Sequence, residues 1–276
     1  MSTITFQRYP ALGAEVVGID KDRLLEDEGL PGVVMEALEQ NGVLVFRGLH
    51  LEDDTQARLC RRLGDIVVNQ SDKVPGVSVI SLDPSRSAQA EYLKGTFHWH
   101  LDGATQQLPP NKATVLTAHA VAEQGGETEF ASTYAAWEGL SAEERARLES
   151  VRVIHSVDAS QRLVIRDPTP AQEREWSQFL RTEQPLVWRH RTGRRSLVLG
   201  ATALSVVGME YEEGRALLDG LLDRATRPER VYTHEWAVGD TVIWDNRGVL
   251  HRALPYDQFS PRDMHRTVLV GDEPIE

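Results

Sequence analysis

Short runs rich in β-branched and apolar residues recur along this chain without alternating strictly with helical patterns, which constrains the fold more than any other feature. The candidates are Val43–Phe46, 77–82, 96–100, Ala113–Ala120, 151–157, 186–189, 196–199, 231–236, 241–244 and 266–270. Helical spacing is confined to a few segments. Residues 30–40 repeat Val33, Val34, Ala37 and Leu38, with Pro31 in the first turn and Gly42 as the stop. Asp53–Leu63 is amphipathic and closes at Gly64, Ser141-Ala142-Glu143-Glu144 has the form of a capping box, and 208–225 places Leu217, Leu218, Leu221 and Leu222 on one face. Strands that outnumber helices in this way disfavour a doubly wound parallel sheet. They favour a mainly β fold, an antiparallel sandwich or barrel with flanking helices. Segments 83–95 and 158–183, the latter with Pro168 and Pro170, lack periodicity and are expected as lid or binding loops. No repeat or Pro/Gly/Ser-rich linker interrupts the 276 residues, so one domain, 1–276, is expected.

Composition removes several functional classes. A formal net charge of −12 disfavours nucleic acid and anionic membrane as partners. Cys60 is the single cysteine, which excludes an internal disulfide framework and a cysteine-based zinc cluster, so any metal must use His, Asp and Glu. No apolar run approaches membrane-spanning length, and the opening MSTITFQRYP has no signal-peptide pattern. The expected location is the cytoplasm.

The chemistry is carried by His98-Trp99-His100-Leu101-Asp102, read as closing a strand, so that His98, His100 and Asp102 share a face. A His-x-Asp pair is weak evidence alone. It gains weight from Trp244-Asp245-Asn246-Arg247-Gly248-Val249-Leu250-His251-Arg252, where a turn delivers a further histidine. His100, Asp102 and His251 then form a facial triad suited to Fe(II), with three positions left for a bidentate co-substrate and O2. His98 is the competing ligand on the same strand, but choosing it leaves His100 unexplained, so His98 is assigned to packing or support. Arg262 and Arg266 follow on a returning strand, and Arg suits bidentate carboxylate recognition. Gly125-Gly126-Glu127-Thr128 offers a close backbone approach and a hydroxyl for the same carboxylate.

These motifs, with Leu12-Gly13-Ala14-Glu15-Val16-Val17-Gly18-Ile19-Asp20 and Gly42-Val43-Leu44-Val45-Phe46-Arg47-Gly48 before them and Met264-His265-Arg266 at the end, resemble the taurine/2,4-dichlorophenoxyacetate dioxygenase family. That family comprises Fe(II)- and 2-oxoglutarate-dependent enzymes, and the resemblance covers nearly the whole chain. It implies a double-stranded β-helix, or jelly roll, flanked by helices, and a homodimer or dimer of dimers. It implies iron ligands at His100, Asp102 and His251, with Thr128 and Arg262 holding the distal carboxylate of 2-oxoglutarate. The implied reaction consumes O2, releases succinate and CO2, and oxidises a C–H bond, with C–heteroatom cleavage where the oxidised carbon bears a heteroatom. Arg266 matches a position used for an anionic substrate group. Asn69, in Val67-Val68-Asn69, stands where taurine-specific members carry a sulfonate-binding histidine, which makes it the corresponding substrate candidate and argues against taurine.

By alternation Arg266 shares a face with Arg262, and a second buried cation needs an anion: a substrate carboxylate, sulfonate or sulfate, or an internal partner such as Asp263, Glu127 or Glu129. His265, between the arginines, and His119, His155, His190 and His234 are read as structural. Trp99 and Trp244 are expected as core aromatics bordering the site, whereas Arg247 and Arg252 fit either ion pairs or substrate contacts. Intact Asp102 disfavours a halogenase. The competing function from another class is a non-catalytic metal-binding jelly roll that serves as a ligand-binding module, which would not need Arg262 and Thr128 in register with the metal.

Overall fold

A computed structural model describes residues 3–87, 90–106 and 109–276, so residues 88 and 89 of the expected loop 83–95 lie outside the described residues. The apolar run Val43–Phe46 shows why its strand carries no polar face. Leu44 and Phe46 pack with Leu38, Leu59 and Leu63 of helices Leu30–Asn41 and Asp53–Leu63, while Val43 and Val45 pack with Phe130, Trp244 and Val249 on the other side. A strand covered on both faces must be apolar throughout. Truncating Leu44, which is fully buried, to Ala would cost about 2–5 kcal/mol.

This strand belongs to a seven-stranded sheet whose order is Thr5–Arg8, Ala14–Val17, Val43–Phe46, Thr241–Asp245, Ala113–Ala120, Asp263–Leu269, Ser78–Ile80. Its pairs are antiparallel except Ala14–Val17 with Val43–Phe46, between which the chain runs through helix Leu30–Asn41. A second sheet of Val231–His234, Thr128–Ser132 and Val249–Ala253 faces it and sends Phe130 into the shared core. The two sheets form the expected jelly roll with flanking helices. A further sheet of Ala203–Val206, Arg152–His155 and Thr182–Pro185 extends the body, and helix Tyr211–Ala225 packs Leu218 and Leu221 into the core beside it.

Two expectations are corrected. Residues 96–100 do not form a strand: Lys94–Phe97 is a 3-10 turn, and His100 forms an isolated bridge to His251. The turn holds because Thr96 Oγ1 donates to the Leu93 carbonyl and Phe97 packs edge-on against Tyr256, neither of which local propensity contains. Nor are the two aperiodic segments plain loops. Ala90–Leu93 is helical, and 158–183 contains most of helix Val157–Val164, capped by Ser156, and all of helix Pro170–Trp176, capped by a Thr169/Gln172 box. The Thr169 signal was present in the sequence, but these helices bury too little to show an apolar stripe.

Candidate active site

His100 and His251 are brought together by backbone, not by a continuous strand. His100 N–H donates to the His251 carbonyl at 3.1 Å, and His251 N–H returns the bond at 3.0 Å, leaving the ring centroids 4.1 Å apart. Gly200 makes room for this crossing: at φ +113°, an added Cβ would lie 2.7 Å from the Trp99 carbonyl oxygen and 2.9 Å from His100 Cα. Asp102 closes the set, with Oδ1 3.9 Å from His100 Nε2 and Oδ2 3.9 Å from His251 Nε2. The three donor atoms lie within 4.8 Å of one another.

Protonation suits a metal. His100 Nδ1 lies 2.9 Å from the His98 carbonyl oxygen, so its N–H donates there and Nε2 is the nitrogen that faces Asp102. Burial pushes His251 down to about 3, so it is neutral. Burial alone would raise the Asp102 carboxyl, but the groups around it, the Arg266 guanidinium and the Thr114 hydroxyl among them, hold it below the usual carboxylate value. Two imidazoles and one carboxylate are the donor set Fe(II) requires. The sequence reading did not find the support behind Asp102: Thr114 Oγ1 donates to Asp102 Oδ2 at 3.1 Å, and Asn246 Nδ2 donates to Thr114 Oγ1 at 2.9 Å, both residues being fully buried. Nothing in one sequence ties Thr114 or Asn246 to Asp102.

His100 and His251 line a cavity with Thr128, Arg262 and Arg266, walled by Trp244, Leu116, Ile80 and Leu93. Arg262 is 4% exposed and has no carboxylate within ion-pair distance among the described residues. Its guanidinium lies over the Tyr256 ring at 4.6 Å and donates to the Gly126 carbonyl at 3.3 Å, and burial lowers its proton affinity. Gly126 is required here, since at φ +80° a Cβ would meet Arg262 Nε at 2.9 Å. Thr128 Oγ1 accepts from Trp236 Nε1 at 3.0 Å, which leaves the hydroxyl proton available for an acceptor in the cavity. Tyr256 and Trp236 went unnoticed in the sequence for want of any motif around them.

Arg266 also lines the cavity, and its buried Nε has no hydrogen-bond partner among the described residues. The internal partners weighed for it are placed otherwise: Asp263 pairs with Arg86 at 2.6 Å, Glu129 pairs with Arg252 at 2.6 Å, and Glu127 makes no ion pair with it. Arg252 and Arg247, the latter bonded to Asp245, are thereby held in internal ion pairs. Asn69 is not brought to the cavity. It is exposed and donates to Ser78 Oγ at 3.2 Å. The His98 ring lines a separate cleft beside Trp99 and Arg252, so it does not share the face of His100; its carbonyl, not its ring, serves the site.

The sequence profile of the taurine catabolism dioxygenase TauD, TfdA family matches residues 5–268. This chain belongs to that family. Among its relatives is the alpha-ketoglutarate-dependent 2,4-dichlorophenoxyacetate dioxygenase of Cupriavidus pinatubonensis, 35% identical over 290 residues and covering 99% of both chains. The (S)-phenoxypropionate/alpha-ketoglutarate-dioxygenase of Sphingobium herbicidovorans is 34% identical over 96% of this chain and 93% of its own. The crystal structure of AAD-2 in complex with Mn(II) and N-oxalylglycine superposes with a TM-score of 0.84 at 32% identity, covering 100% of both chains. As a TauD/TfdA family member the protein is an oxidoreductase, a dioxygenase that uses Fe(II), 2-oxoglutarate and O2. No helix among the described residues is long and apolar enough to cross a membrane.

Proposed function

We propose that His100, Asp102 and His251 hold the Fe(II), that Arg262 and Thr128 bind the distal carboxylate of 2-oxoglutarate, and that Arg266 receives the anionic group of a small substrate. Bound iron supplies the O2 chemistry that couples conversion of 2-oxoglutarate to succinate and CO2 with oxidation of a substrate C–H bond. The protein's part is positioning. Arg262 presents a fixed charged fork, Thr128 donates its free proton, and the apolar wall of Trp244, Leu116, Ile80 and Leu93 keeps water from the reacting carbon. The observation that carries this reading is that Arg262, deeply buried and without a carboxylate of its own, opens into the same cavity as the His–Asp–His set. A buried cation of this kind is costly until an anion arrives.

Arg266 supports an anionic substrate, a carboxylate, sulfonate or sulfate. Relatives named for phenoxypropionate, 2,4-dichlorophenoxyacetate and sulfate esters point the same way. Where the oxidised carbon bears oxygen, the hydroxylated product collapses with C–O cleavage. Asn69 has no part in this scheme because of its exposed place. We read 1–276 as one domain whose segments 83–95 and 158–183 form the lid. In support, Tyr92 Oη donates to Glu175, Phe179 packs edge-on to Tyr92, and Leu93 and Thr96 line the cavity. The same proposal places the protein in the cytoplasm as a homodimer or homotetramer that binds neither nucleic acid nor membrane, in keeping with its net charge of −12.

The test is succinate formation with Fe(II), ascorbate, air and 2-oxoglutarate, first alone and then with a panel of small sulfonates, sulfates and phenoxyalkanoates. Slow turnover without substrate and acceleration by an anionic one are expected. Loss of one partner of a buried charge-assisted pair costs about 3–5 kcal/mol, so Arg262→Ala should weaken 2-oxoglutarate binding about two to three orders of magnitude. Unchanged affinity with Fe(II) still bound would remove Arg262 from this role.

A further inference from the structure

The strands that wall the cavity have a second face, and it carries another His–His–Asp group. Arg266 and Leu116 are paired neighbours that point into the cavity, whereas His265, one residue away, turns to the opposite face towards helix Asp53–Leu63. The register between Asp263–Leu269 and Ala113–Ala120 slips at Asp263/Met264, where the facing residue changes from Ala120 to Ala118, and His119 sits at that bulge. The result is a pair of stacked imidazoles, His119 and His265, with centroids 3.8 Å apart and planes 15° apart. Asp53, in the first turn of the helix, brings Oδ1 to both: it contacts His265 Nδ1 and lies 3.8 Å from His119 Nε2. The three donor atoms lie within 4.8 Å of one another, as do those of the catalytic set.

Two buried atoms of this group have no hydrogen-bond partner: His119 Nε2 and Asp263 Oδ1. A metal-free arrangement, with His265 held between Asp53 and Asp263, accounts for His265 but leaves His119 Nε2 with no hydrogen-bond partner among the described residues. We propose that Asp53, His119 and His265 form a second cation site, one that takes a borderline divalent transition metal such as Zn(II). A cation there is bound by His119 Nε2, His265 Nδ1 and Asp53 Oδ1 and displaces the proton between His265 and Asp53 into solvent. His265 Nε2, 3.4 Å from Asp263 Oδ1, then donates to that carboxylate, an arrangement common behind metal-bound histidines. Imidazole and carboxylate donors without thiolate suit Zn(II), Co(II) or Ni(II) better than Mg(II) or Ca(II). The metal ties the start of helix Asp53–Leu63 to the strand whose other face bears Arg266, so its role is to fix that strand against the helix.

The test uses the full chain, stripped with chelator, and Co(II) alone as the probe. Wild type is expected to take two Co(II) per chain, the His100→Ala/His251→Ala variant one, with visible ligand-field absorption, and the same variant with His119→Ala none. Asp263→Asn should weaken the remaining site roughly 10- to 100-fold. In the His100→Ala/His251→Ala background Zn(II) should raise Tm, and His119→Ala, which alters a half-exposed side chain, should abolish the rise while circular dichroism shows the fold intact. A single Co(II) in wild type with none in the His100→Ala/His251→Ala variant, or a second equivalent that survives His119→Ala, overturns the proposal.

Discussion

Two His–His–Asp groups stand on opposite faces of the strand pair Ala113–Ala120 and Asp263–Leu269, built from the same residue types, each with its donor atoms within 4.8 Å of one another, yet they are suited to different work. In the inner group the imidazoles are tilted by 49°, and the carboxylate is held by a neutral hydroxyl, Thr114, itself held by Asn246. Both histidines turn Nε2 towards Asp102, and the space beyond is an apolar cavity with two arginines. In the outer group the rings stack at 15°, the carboxylate touches histidine directly, and a helix covers the face. Donor identity alone therefore does not separate the two groups. What separates them is the volume left open beside the donors and the unpaired charge that volume contains.

The strongest way to break the comparison is to remove one carboxylate from each group. Asp102→Ala is expected to abolish Fe(II)-dependent succinate formation, whereas Asp53→Ala should leave most of it; equal losses in that assay would mean the two groups act as one. Next in size is Arg266→Ala, which deletes a charge-assisted contact worth about 1.5–3 kcal/mol and so should raise KM for the anionic substrate roughly 10- to 100-fold. Substrate-independent 2-oxoglutarate decay should stay near wild type, and a KM that does not move would end the anion assignment. Asn246→Ala touches neither metal nor substrate. Through Thr114 it should lower Fe(II) affinity about tenfold, read by anaerobic titration of the visible charge-transfer band, with 2-oxoglutarate affinity for the loaded protein unchanged.

The smallest effect concerns acid. His155, fully buried and apart from both groups, is pushed down to about 4 by burial, while in the unfolded chain it titrates near the ordinary 6.5. Its contribution to stability is present above pH 6.5 and is lost as pH falls through about 4. The Tm of the chelator-treated protein should drop across that window, and His155→Gln should flatten the slope. An unchanged slope would assign the acid sensitivity to other buried histidines, such as His190 or His251, instead.

The sequence by itself determined the strand-rich fold and the helices Leu30–Asn41 and Asp53–Leu63, and its motifs picked out His100, Asp102 and His251 as one set and Thr128 with Arg262 as another. The elements were legible because periodicity and capping are local, the donor residues because their chemistry and motif context mark them even at a distance, and Val43–Phe46 because it has to be apolar on both faces wherever it packs. Only the tertiary structure decided the rest. It replaced an expected strand at 96–100 with a turn and a two-bond bridge, since the hydrogen bonds that hold His100 come from His251. It turned the His98 ring away, left Asn69 outside the cavity, gave Asp102 its Thr114–Asn246 support, and denied Arg266 the acidic partners that spacing allowed. It also gathered Asp53, His119 and His265, three residues far apart in the chain, through a one-residue bulge. The physical reason is common to all of these: side-chain direction along a strand follows from alternation, but a single register slip or crossing bridge reverses it, and such slips are set by contacts between distant segments.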